Sequence, residues 1–372
     1  MSKKIFMIAG EASGDLHGAR IIETLRRKAG PSGLIVHGVG GERIRATGAL
    51  DFYDLASFHV TGFLEAVTSL PRYLAAERTI VSSVERARPD AVVLIDNPGF
   101  NLRLAKRFKA MGLKVFYFIA PQVWAWGEDR VARIRRDIHK VYVVFEFEKR
   151  FYEERGVPVE WVGHPLRDIV DLDPLSAAER DTTVVLMPGS RAGEVTRLTG
   201  PLLGAADRIA AQQPGLRFQL LCAPTVDPSF FSDRLAACRA RIELVREGGY
   251  EAIRRCRLVL ACSGTATLEC ALLGAPSIIV YRTSRISYEI GRRVVRVPYL
   301  GLPNLILGRE AFPELIQHEV TAEAIAERAL GILSDPARHE AMVADTAEVA
   351  RRVGDRGAVE RVAANLAREL GL

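Results

Sequence analysis

Two polar turns in the second half of the chain have the residue types that bind a phosphorylated ligand. The first follows the apolar run Leu258–Ala261 and reads Cys-Ser-Gly-Thr-Ala-Thr-Leu-Glu, which predicts a strand, a tight turn and a helix that begins near Thr265. Backbone N–H groups and the positive end of a helix dipole then point at one position, which suits a phosphate group. The hydroxyl groups of Ser263, Thr265 and Thr267 add donors. Glu269 is placed to accept from a sugar diol. The alternative is an ordinary turn in which Ser263 or Thr265 caps the helix.

The second turn follows another predicted strand and reads Pro-Gly-Ser-Arg-Ala-Gly-Glu over residues 188–194. The guanidinium group of Arg191 is able to neutralise a diphosphate through two parallel hydrogen bonds. Gly189 and Gly193 leave room for a ligand beside the backbone. One turn supplies a cation, and the other supplies helix-terminal amides and an acceptor for a diol. Together they favour a site for a nucleotide diphosphate sugar.

Carboxylates also follow two of the predicted strands in the first half of the chain. Glu11 and Asp15 lie in a glycine-containing loop after the first strand, and Asp96 follows the third. A carboxylate at such a position is able to deprotonate a sugar hydroxyl group within hydrogen-bonding reach. The alternatives are structural, because Ser13 or Asp15 could cap the next helix and Asp96 could cap a Pro-Gly turn. The loop is not Gly-x-Gly-x-x-Gly, so a dinucleotide site is not indicated.

Parallel sheets are needed to bring such turns together, and the hydropathy pattern predicts two of them. Apolar runs alternate with amphipathic helical patterns, which is typical of doubly wound α/β domains whose ligands bind beyond the carboxyl ends of the strands. The predicted strands of the first half are 4–9, 34–38, 91–95, 115–119 and 141–145. Those of the second half are 183–187, 217–222, 242–245, 258–261 and 277–281. Helices are predicted at 18–28 and 101–111, and the pattern breaks near 162–166, as expected of a linker.

Composition argues against several classes of protein. The 372 residues suffice for two domains, and a hydrophobic fraction of 48% is that of a globular chain. The five cysteines form no Cys-x-x-Cys pair, which fits reduced thiols and argues against zinc. No export signal and no apolar run long enough to span a bilayer are evident, so we expect a cytoplasmic or peripheral protein. The net charge of +6 favours an anionic membrane surface or a phosphorylated substrate, whereas no motif supports nucleic acid.

One apolar stretch in the first half has a different character. Residues 60–70 are apolar and helix-like, and basic residues follow them. Phe63, Leu64 and Val67 would then form either an interfacial membrane contact or a groove for an acyl chain. A core helix is the alternative that the pattern alone leaves open.

Ten short motifs resemble the lipid-A-disaccharide synthase family, a group of bacterial GT-B glycosyltransferases with two Rossmann-like domains. Any one motif is weak evidence, but together they follow the family order over nearly the whole chain. The motifs are AGEASGD at 9–15, GVGG at 38–41, residues 61–65 and 96–101, PQVWAW at 121–126, residues 147–151, VGHP at 162–165, PGSRAGE at 188–194, SGTATLE at 263–269 and LPNLILGRE at 302–310. The resemblance implies an α/β fold with two parallel sheets that face each other across a cleft.

The resemblance also implies a reaction. The family joins UDP-2,3-diacylglucosamine to 2,3-diacylglucosamine 1-phosphate (lipid X), releases UDP and forms a β-1,6-linked disaccharide 1-phosphate. The donor is α-linked, so one direct displacement inverts the configuration, with a base at the acceptor 6-hydroxyl group and positive groups at the departing diphosphate. No metal and no cofactor are implied. Because both substrates carry acyl chains, the resemblance implies a protein on the cytoplasmic face of the inner membrane.

Site residues carry over from the family position by position. Donor binding is implied for Ser190, Arg191, Glu194, Ser263, Gly264, Thr265, Thr267, Glu269, Asn304 and Glu310. Acceptor binding is implied for Ser13, Glu65 and Asn101, next to Glu11 and Asp15. Many members carry Asp-x-Pro-Asp-Phe-Asn, but here the second aspartate is replaced by Gly99. We therefore expect Asp96, or one of the carboxylates Glu11 and Asp15, to act as the general base.

The expected organisation has three parts. An acceptor-binding Rossmann-like domain with the membrane-facing segment occupies 1–166, a UDP-sugar-binding Rossmann-like domain occupies 167–345, and helices occupy 346–372. These last helices either return to the first domain or exchange between the subunits of a homodimer. Two other functions stay open here: another UDP-sugar GT-B transferase or epimerase, and a non-catalytic module that binds a nucleotide sugar.

Overall fold

A computed structural model describes residues 2–30, 33–54 and 70–372, and all of their side chains except those of 51–54 and 70–72. The expected membrane contacts Phe63, Leu64 and Val67 lie outside the described residues, as does the expected acceptor residue Glu65. Those four assignments therefore remain predictions from the sequence.

The chain forms two compact units. Unit 1 comprises Met1–Asp168 and Asp355–Leu372, and unit 2 comprises Ile169–Gly354. The linker was expected near this first boundary, but the second boundary differs from the expected one at 345/346. A single helix, Pro336–Val353, runs through that position without interruption, so the chain leaves unit 2 only after the helix ends.

Unit 1 is a doubly wound α/β domain. Its strands are β1 Lys3–Ala9, β2 Leu34–Gly40, β3 Leu50–Asp54, β4 Ala91–Ile95, β5 Lys114–Phe118, β6 Lys140–Val143 and β7 Val159–Trp161. Its helices before the linker are α1 Ala12–Ala29, α2 Glu42–Ala46, α3 Leu70–Ala87, α4 Pro98–Ala110, α5 Val131–Asp137 and α6 Glu146–Glu153. The sheet has the order β3-β2-β1-β4-β5-β6-β7 and every neighbouring pair is parallel, so all carboxyl ends meet at one edge.

Unit 2 repeats this architecture. Its strands are β8 Thr183–Met187, β9 Arg217–Leu221, β10 Ile242–Val245, β11 Leu258–Cys262, β12 Ser277–Tyr281 and β13 Glu314–Ile316. Its helices are α7 Ala192–Gln212, α8 Ser229–Ala236, α9 Gly249–Arg255, α10 Thr265–Leu272, α11 Arg285–Val294, α12 Leu302–Leu307, α13 Ala322–Leu333 and α14 Pro336–Val353. The order β10-β9-β8-β11-β12-β13 is again wholly parallel.

The central strands form because they are apolar along their whole length. Every residue of β4 and of β11 is buried, as expected when helices cover both faces of a parallel sheet. Four predicted strands have the observed bounds, and the other six differ by one or two residues at one or both ends. The three strands that were not predicted, β3, β7 and β13, all lie at sheet edges.

The glycine-containing stretch after β1 is a helix and not a loop. α1 begins at Ala12, six residues before the predicted start, with Glu11 at its N-cap. The glycines lie where α1 packs closely on its neighbours. A Cβ atom at Gly14 would be 3.4 Å from Ile95 Cγ2, and one at Gly18 would be 2.8 Å from Ile44 Cδ1. Glycine therefore serves close packing here, a role that the sequence did not distinguish from a turn.

The last helix, α15 Ala358–Leu370, belongs to unit 1. Arg361 Nε donates to the carbonyl oxygen of Val162 at 2.7 Å, and Asn365 Nδ2 donates to Glu160 at 2.6 Å. The apolar side of α15 is buried, and the helix packs along α1. In this chain the C-terminal helix therefore completes the domain that the N-terminus begins.

Candidate functional site

Unit 2 contains a cavity of about 680 Å³ at the carboxyl edge of its sheet. It is lined by the turns that follow β8 and β11, where the strand order reverses and doubly wound sheets bind their ligands. The predicted site residues that line it are Ser190, Arg191, Glu194, Ser263, Gly264, Thr265 and Glu269. The two polar turns thus border the same cavity, whose volume is that of an ordinary small-molecule site.

Glu194 shapes the first of these turns. Its Oε2 atom accepts from the backbone N–H groups of Ser190 at 3.2 Å and Arg191 at 3.3 Å, and its Oε1 atom pairs with the Arg191 guanidinium group at 2.8 Å. Gly189 permits this approach, because its φ is +108° and a Cβ atom would lie 2.6 Å from Glu194 Oε2. The Arg191 side chain is 70% exposed, so its charge is accessible to a ligand.

The second turn has the geometry that its sequence predicts. β11 ends at Cys262, Gly264 adopts φ +148°, and α10 begins at Thr265. The N–H groups of Thr265 and Ala266, the first two of α10, have no carbonyl partner one turn earlier in the helix, and both residues line the cavity. Thr267 differs from expectation: it is fully buried, and its hydroxyl group donates to the carbonyl oxygen of Gly264 at 2.8 Å. Thr267 therefore stabilises the turn and does not line the cavity.

Two cavity residues were missed in the sequence. Tyr250 donates its hydroxyl group to Glu269 Oε1 at 3.0 Å, and burial raises the pKa of Glu269. Arg246 contributes a second cation to the lining. Both lie just after β10 in the run Arg-Glu-Gly-Gly-Tyr. A basic residue and paired glycines at a strand end were the available signal, but the run has no motif of its own.

Asn304 and Glu310, which were expected at the donor sugar, are not among the residues that line the cavity. Asn304 is fully buried; its Oδ1 atom accepts from two backbone N–H groups, of Ala311 and Phe312, at 2.9 Å. Its Nδ2 atom donates to Phe312 O at 2.7 Å and to Glu314 at 2.8 Å. The side chain thus fastens the loop after α12, and its amide has no capacity left for a ligand. Glu310 is exposed on that loop.

In unit 1, Asp96 occupies an unusual backbone position at the carboxyl end of β4. Its φ is +50°, and that of Asn97 is +46°, conformations that are costly for residues other than glycine. The carbonyl oxygen of Asp96 accepts from Tyr117 Oη at 2.6 Å and from Asn101 Nδ2 at 2.7 Å. Its N–H group donates to Phe118 O at 3.0 Å. Hydrogen bonds therefore fix both the N–H group and the carbonyl group of Asp96. Its side chain is half-buried.

The carboxyl group of Asp96 also has altered acidity. Burial, reinforced by the negative charge of Glu11, raises the pKa of Asp96 to about 6. Glu11 and Ser13 are themselves exposed at the start of α1. A carboxylate with a pKa close to the working pH is a more effective general base than one with the usual value. Asp96 is therefore the acid of this edge whose surroundings suit proton transfer.

Asp15 and Asn101 both have structural partners at the carboxyl edge of the sheet. Asp15 is buried, and its carboxylate accepts from three backbone N–H groups at 2.7–3.0 Å, those of Gly41, Arg43 and Ile44. It closes the glycine turn after β2 and the start of α2, so it is corrected from a candidate base to a capping residue. Asn101 is fully buried, and its Nδ2 atom donates to the carbonyl oxygens of Ile95 and Asp96, so it supports the end of β4. Its Oδ1 atom has no hydrogen-bond partner among the described residues, and acceptor binding by Asn101 stays a prediction.

No group of three or more His, Cys, Asp or Glu side chains in the described ranges is arranged to hold a metal ion. Among the described helices, none is long and apolar enough to cross a membrane. The five cysteines form no disulfide, and four of them are buried.

Comparisons with known proteins agree with the motif pattern. A family model described as lipid-A-disaccharide synthetase matches residues 5–365. The lipid-A-disaccharide synthase of Geobacter metallireducens is 38% identical over an alignment of 378 positions, which covers 100% of this chain and 98% of that protein. The enzyme of that name from Myxococcus xanthus is 36% identical and covers 97% of this chain and 96% of that protein.

Solved structures share the fold at low sequence identity. The glycosyltransferase of kitacinnamycin is similar with a TM-score of 0.65 and 14% identity, over 99% of both chains. The UDP-GlcNAc 2-epimerase of Neisseria meningitidis, solved with UDP-GlcNAc bound, has a TM-score of 0.63 and 12% identity, over 98% of this chain and 100% of that one. These structures place the chain in the GT-B fold, which transferases and epimerases share.

Proposed function

The chain belongs to the lipid-A-disaccharide synthase family, and from this premise we propose which of its groups carry out the transfer. The protein is a GT-B glycosyltransferase that forms the lipid A disaccharide. Its donor is UDP-2,3-diacylglucosamine and its acceptor is 2,3-diacylglucosamine 1-phosphate. The residue assignment rests above all on the convergence of two polar turns on one cavity in unit 2.

The cavity of unit 2 binds the UDP group. The amides at the start of α10 and the hydroxyl groups of Ser263 and Thr265 suit the diphosphate, and Arg191 and Arg246 neutralise its charge. Glu269 accepts from the ribose diol and exchanges its hydrogen bond with Tyr250 for one with the sugar. These groups also stabilise UDP as it departs, because the negative charge on the diphosphate grows as the anomeric bond opens.

Asp96 acts as the general base. Its carboxylate takes the proton of the acceptor 6-hydroxyl group, whose oxygen attacks the anomeric carbon from the face opposite the diphosphate. The bond from that carbon to the diphosphate oxygen breaks, and UDP leaves with the electron pair. One displacement of this kind converts an α-linked donor into a β-linked product. The raised pKa of Asp96 and its fixed backbone support this role, since burial outweighs the hydrogen bond that the Asn97 N–H group donates to the Asp96 carboxylate. The carboxylate of Asp15, by contrast, already accepts from three backbone N–H groups.

Substitution of Asp96 by Asn tests the mechanism. We expect D96N to lower kcat by about 10²–10⁴-fold, because general-base catalysis contributes that much, while UDP binding in unit 2 stays unchanged. The assay is release of UDP from UDP-2,3-diacylglucosamine with and without lipid X. Near wild-type turnover by D96N would refute the role of Asp96. UDP release without lipid X, or epimerisation of the donor, would refute the transferase function itself.

The pH profile of the wild type checks the same assignment. Below pH 6, kcat/KM should fall about tenfold per pH unit, because the protonated carboxyl group of Asp96 cannot accept a proton. If kcat/KM falls only near pH 4, the usual pKa range of a carboxylate, a different carboxylate with an ordinary pKa would be the base.

The protein acts at the cytoplasmic face of the inner membrane, where its acylated substrates reside. Phe63, Leu64 and Val67 form one contact with that surface, since they combine an apolar run with basic residues downstream. A homodimer is compatible with this arrangement, and a solution mass tests it.

A further inference from the structure

Helix α11 presents an apolar stripe to solvent. Ile286, Ile290 and Val294 follow one another at intervals of four residues, so they lie on one face of the helix. Their exposed fractions are 75%, 57% and 47%, and no residue of α11 is buried. Together with Val295 they are four of the seven large apolar residues that are exposed in the described part of the chain. An exposed group of apolar side chains of this kind is expected to bind a partner that covers it.

Positive charge surrounds the stripe. Residues 282–296 contain five arginines and one acidic residue, Glu289, so their net charge is 5 − 1 = +4. Glu289 lies 2.7 Å from Arg292 and 3.8 Å from Arg293. Arg282, Arg285 and Arg296 are exposed and form no ion pair within the described ranges. The surface therefore combines exposed apolar side chains with uncompensated cations.

The ends of the segment hold α11 in place. The Gln317 side chain accepts from Thr283 N at 3.0 Å and donates to Thr283 O at 2.9 Å, just before the helix. Ser284 caps the helix by accepting from Ser287 N at 3.1 Å. After the helix, the N–H groups of Leu300 and Gly301 donate to Glu314 at 2.8 and 2.9 Å. The helix is thus anchored by polar contacts at its two ends, and its apolar stripe remains uncovered.

We propose that α11 is a second membrane contact of this protein, which inserts its apolar stripe into the interface of an anionic lipid bilayer. An amphipathic helix with arginines beside Ile and Val binds such a surface through both apolar burial and attraction to anionic headgroups. A second copy of this chain is a poorer partner, because a two-fold contact would set one +4 segment against another. The proposal rests on α11 itself and requires no assumption about the reaction.

The place of α11 in the sheet agrees with this proposal. β11 and β12 are parallel neighbours, so α11, which follows β12, starts at the same edge as the turn that follows β11. Ser263 in that turn donates to the carbonyl oxygen of Leu300, beyond the end of α11, at 3.3 Å. A bilayer contact at α11 therefore lies on the side of unit 2 that carries the cavity.

The test is co-sedimentation of the full chain with vesicles of phosphatidylcholine alone or mixed with phosphatidylglycerol. The variant I286S/I290S/V294S should lose about tenfold or more in partitioning to the anionic vesicles, because its stripe is polar. The matched control I286L/I290L/V294L keeps the stripe apolar and should partition within about twofold of wild type. The variant R282Q/R285Q/R296Q should weaken the dependence of binding on phosphatidylglycerol and on salt, because it removes three of the five arginines of the segment. Thermal unfolding with and without UDP verifies that each variant is folded.

Two outcomes would overturn the proposal. The first is unchanged binding of the serine variant to anionic vesicles. The second is a wild type that is dimeric without lipid and a serine variant that is monomeric, which would make the stripe a contact between copies. The variant F63S/L64S is measured in parallel. It reports on the predicted contact in the first half of the chain, so the loss of binding due to α11 is distinguished from the loss due to that segment.

Discussion

Asp96 and Gly99 lie in the same turn, but only Asp96 has neighbours that alter its chemistry. Gly99 is exposed near the start of α4, and a Cβ atom there would meet nothing within 4 Å. The space that the usual aspartate side chain would occupy is therefore open, and no other side chain fills it. The carboxylate that the mechanism needs is already present three residues earlier, in a backbone conformation that three hydrogen bonds maintain.

Gly99→Asp should therefore be tolerated and should not replace Asp96. We expect G99D to be as stable as wild type or more so, by about 0.5 kcal/mol, because an acidic side chain in the first helical turn interacts well with the helix dipole. In the D96N background it should restore no activity. Urea unfolding and the UDP-release assay measure the two effects, and recovery of turnover in D96N/G99D would show that position 99 can carry the base.

Gly189 is the residue on which the geometry of the arginine turn depends. Alanine at this position would bring its Cβ atom to 2.6 Å from Glu194 Oε2, at a φ of +108° that alanine resists. We expect G189A to weaken UDP binding about tenfold or more, because Glu194 could no longer hold the Ser190 and Arg191 amides.

Titration calorimetry with UDP measures this change. Gly200→Ala, in helix α7 just after this turn, is the matched control, since its Cβ atom would meet nothing within 4 Å. Equal affinities of the two variants would contradict the importance of the Gly189 conformation.

At the scale of elements, the sequence predicted the strands that consist of a continuous apolar run. It missed strands that form only through contacts with their neighbours in the sheet. β8 was predicted with its observed bounds because a run of five apolar or β-branched residues inside a covered sheet has few alternatives. β7 and β13 have three residues each and lie at edges, where no apolar run distinguishes a strand from a loop. Strands as short as these depend on pairing with their neighbours, which the sequence does not display.

The residues of the candidate site also fall into those that the sequence identified and those that it misassigned. Arg191, Ser263 and Glu269 were found because turns after apolar strands have a defined place at the sheet edge. Asn304 and Asp15 were misassigned because polar side chains within motifs look alike whether they bind a ligand or a backbone amide. Only the distances from Asp15 to the amides of α2 separate the two cases.

At the scale of the whole molecule, unit 1 buries histidines that must remain neutral. Burial lowers the pKa of His17 to about 4 and that of His164 to about 3, and His164 Nδ1 accepts from Leu166 N at 3.1 Å. In the unfolded chain both groups titrate near 6.5, so below that pH the unfolded state binds more protons and stability falls. Asp96 and Glu148, whose folded pKa values are raised by burial, act in the opposite direction.

A comparison with His164→Asn isolates one of these contributions. The Asn side chain can accept from Leu166 N but does not titrate, so H164N should gain about 2 kcal/mol relative to wild type between pH 7 and pH 5. Urea unfolding at both pH values measures the difference. A constant gap between the two proteins would mean that His164 has the same pKa in the folded and the unfolded state.

Unit 1 is discontinuous in the chain, because α15 joins it only after all of unit 2 has been traversed. On the ribosome, residues 169–354 emerge as one uninterrupted stretch and are able to fold while synthesis continues. The sheet of unit 1 is made earlier, yet the face of α1 that α15 covers stays bare until residues 355–372 have left the exit tunnel. The domain that is translated first is therefore the one that is finished last.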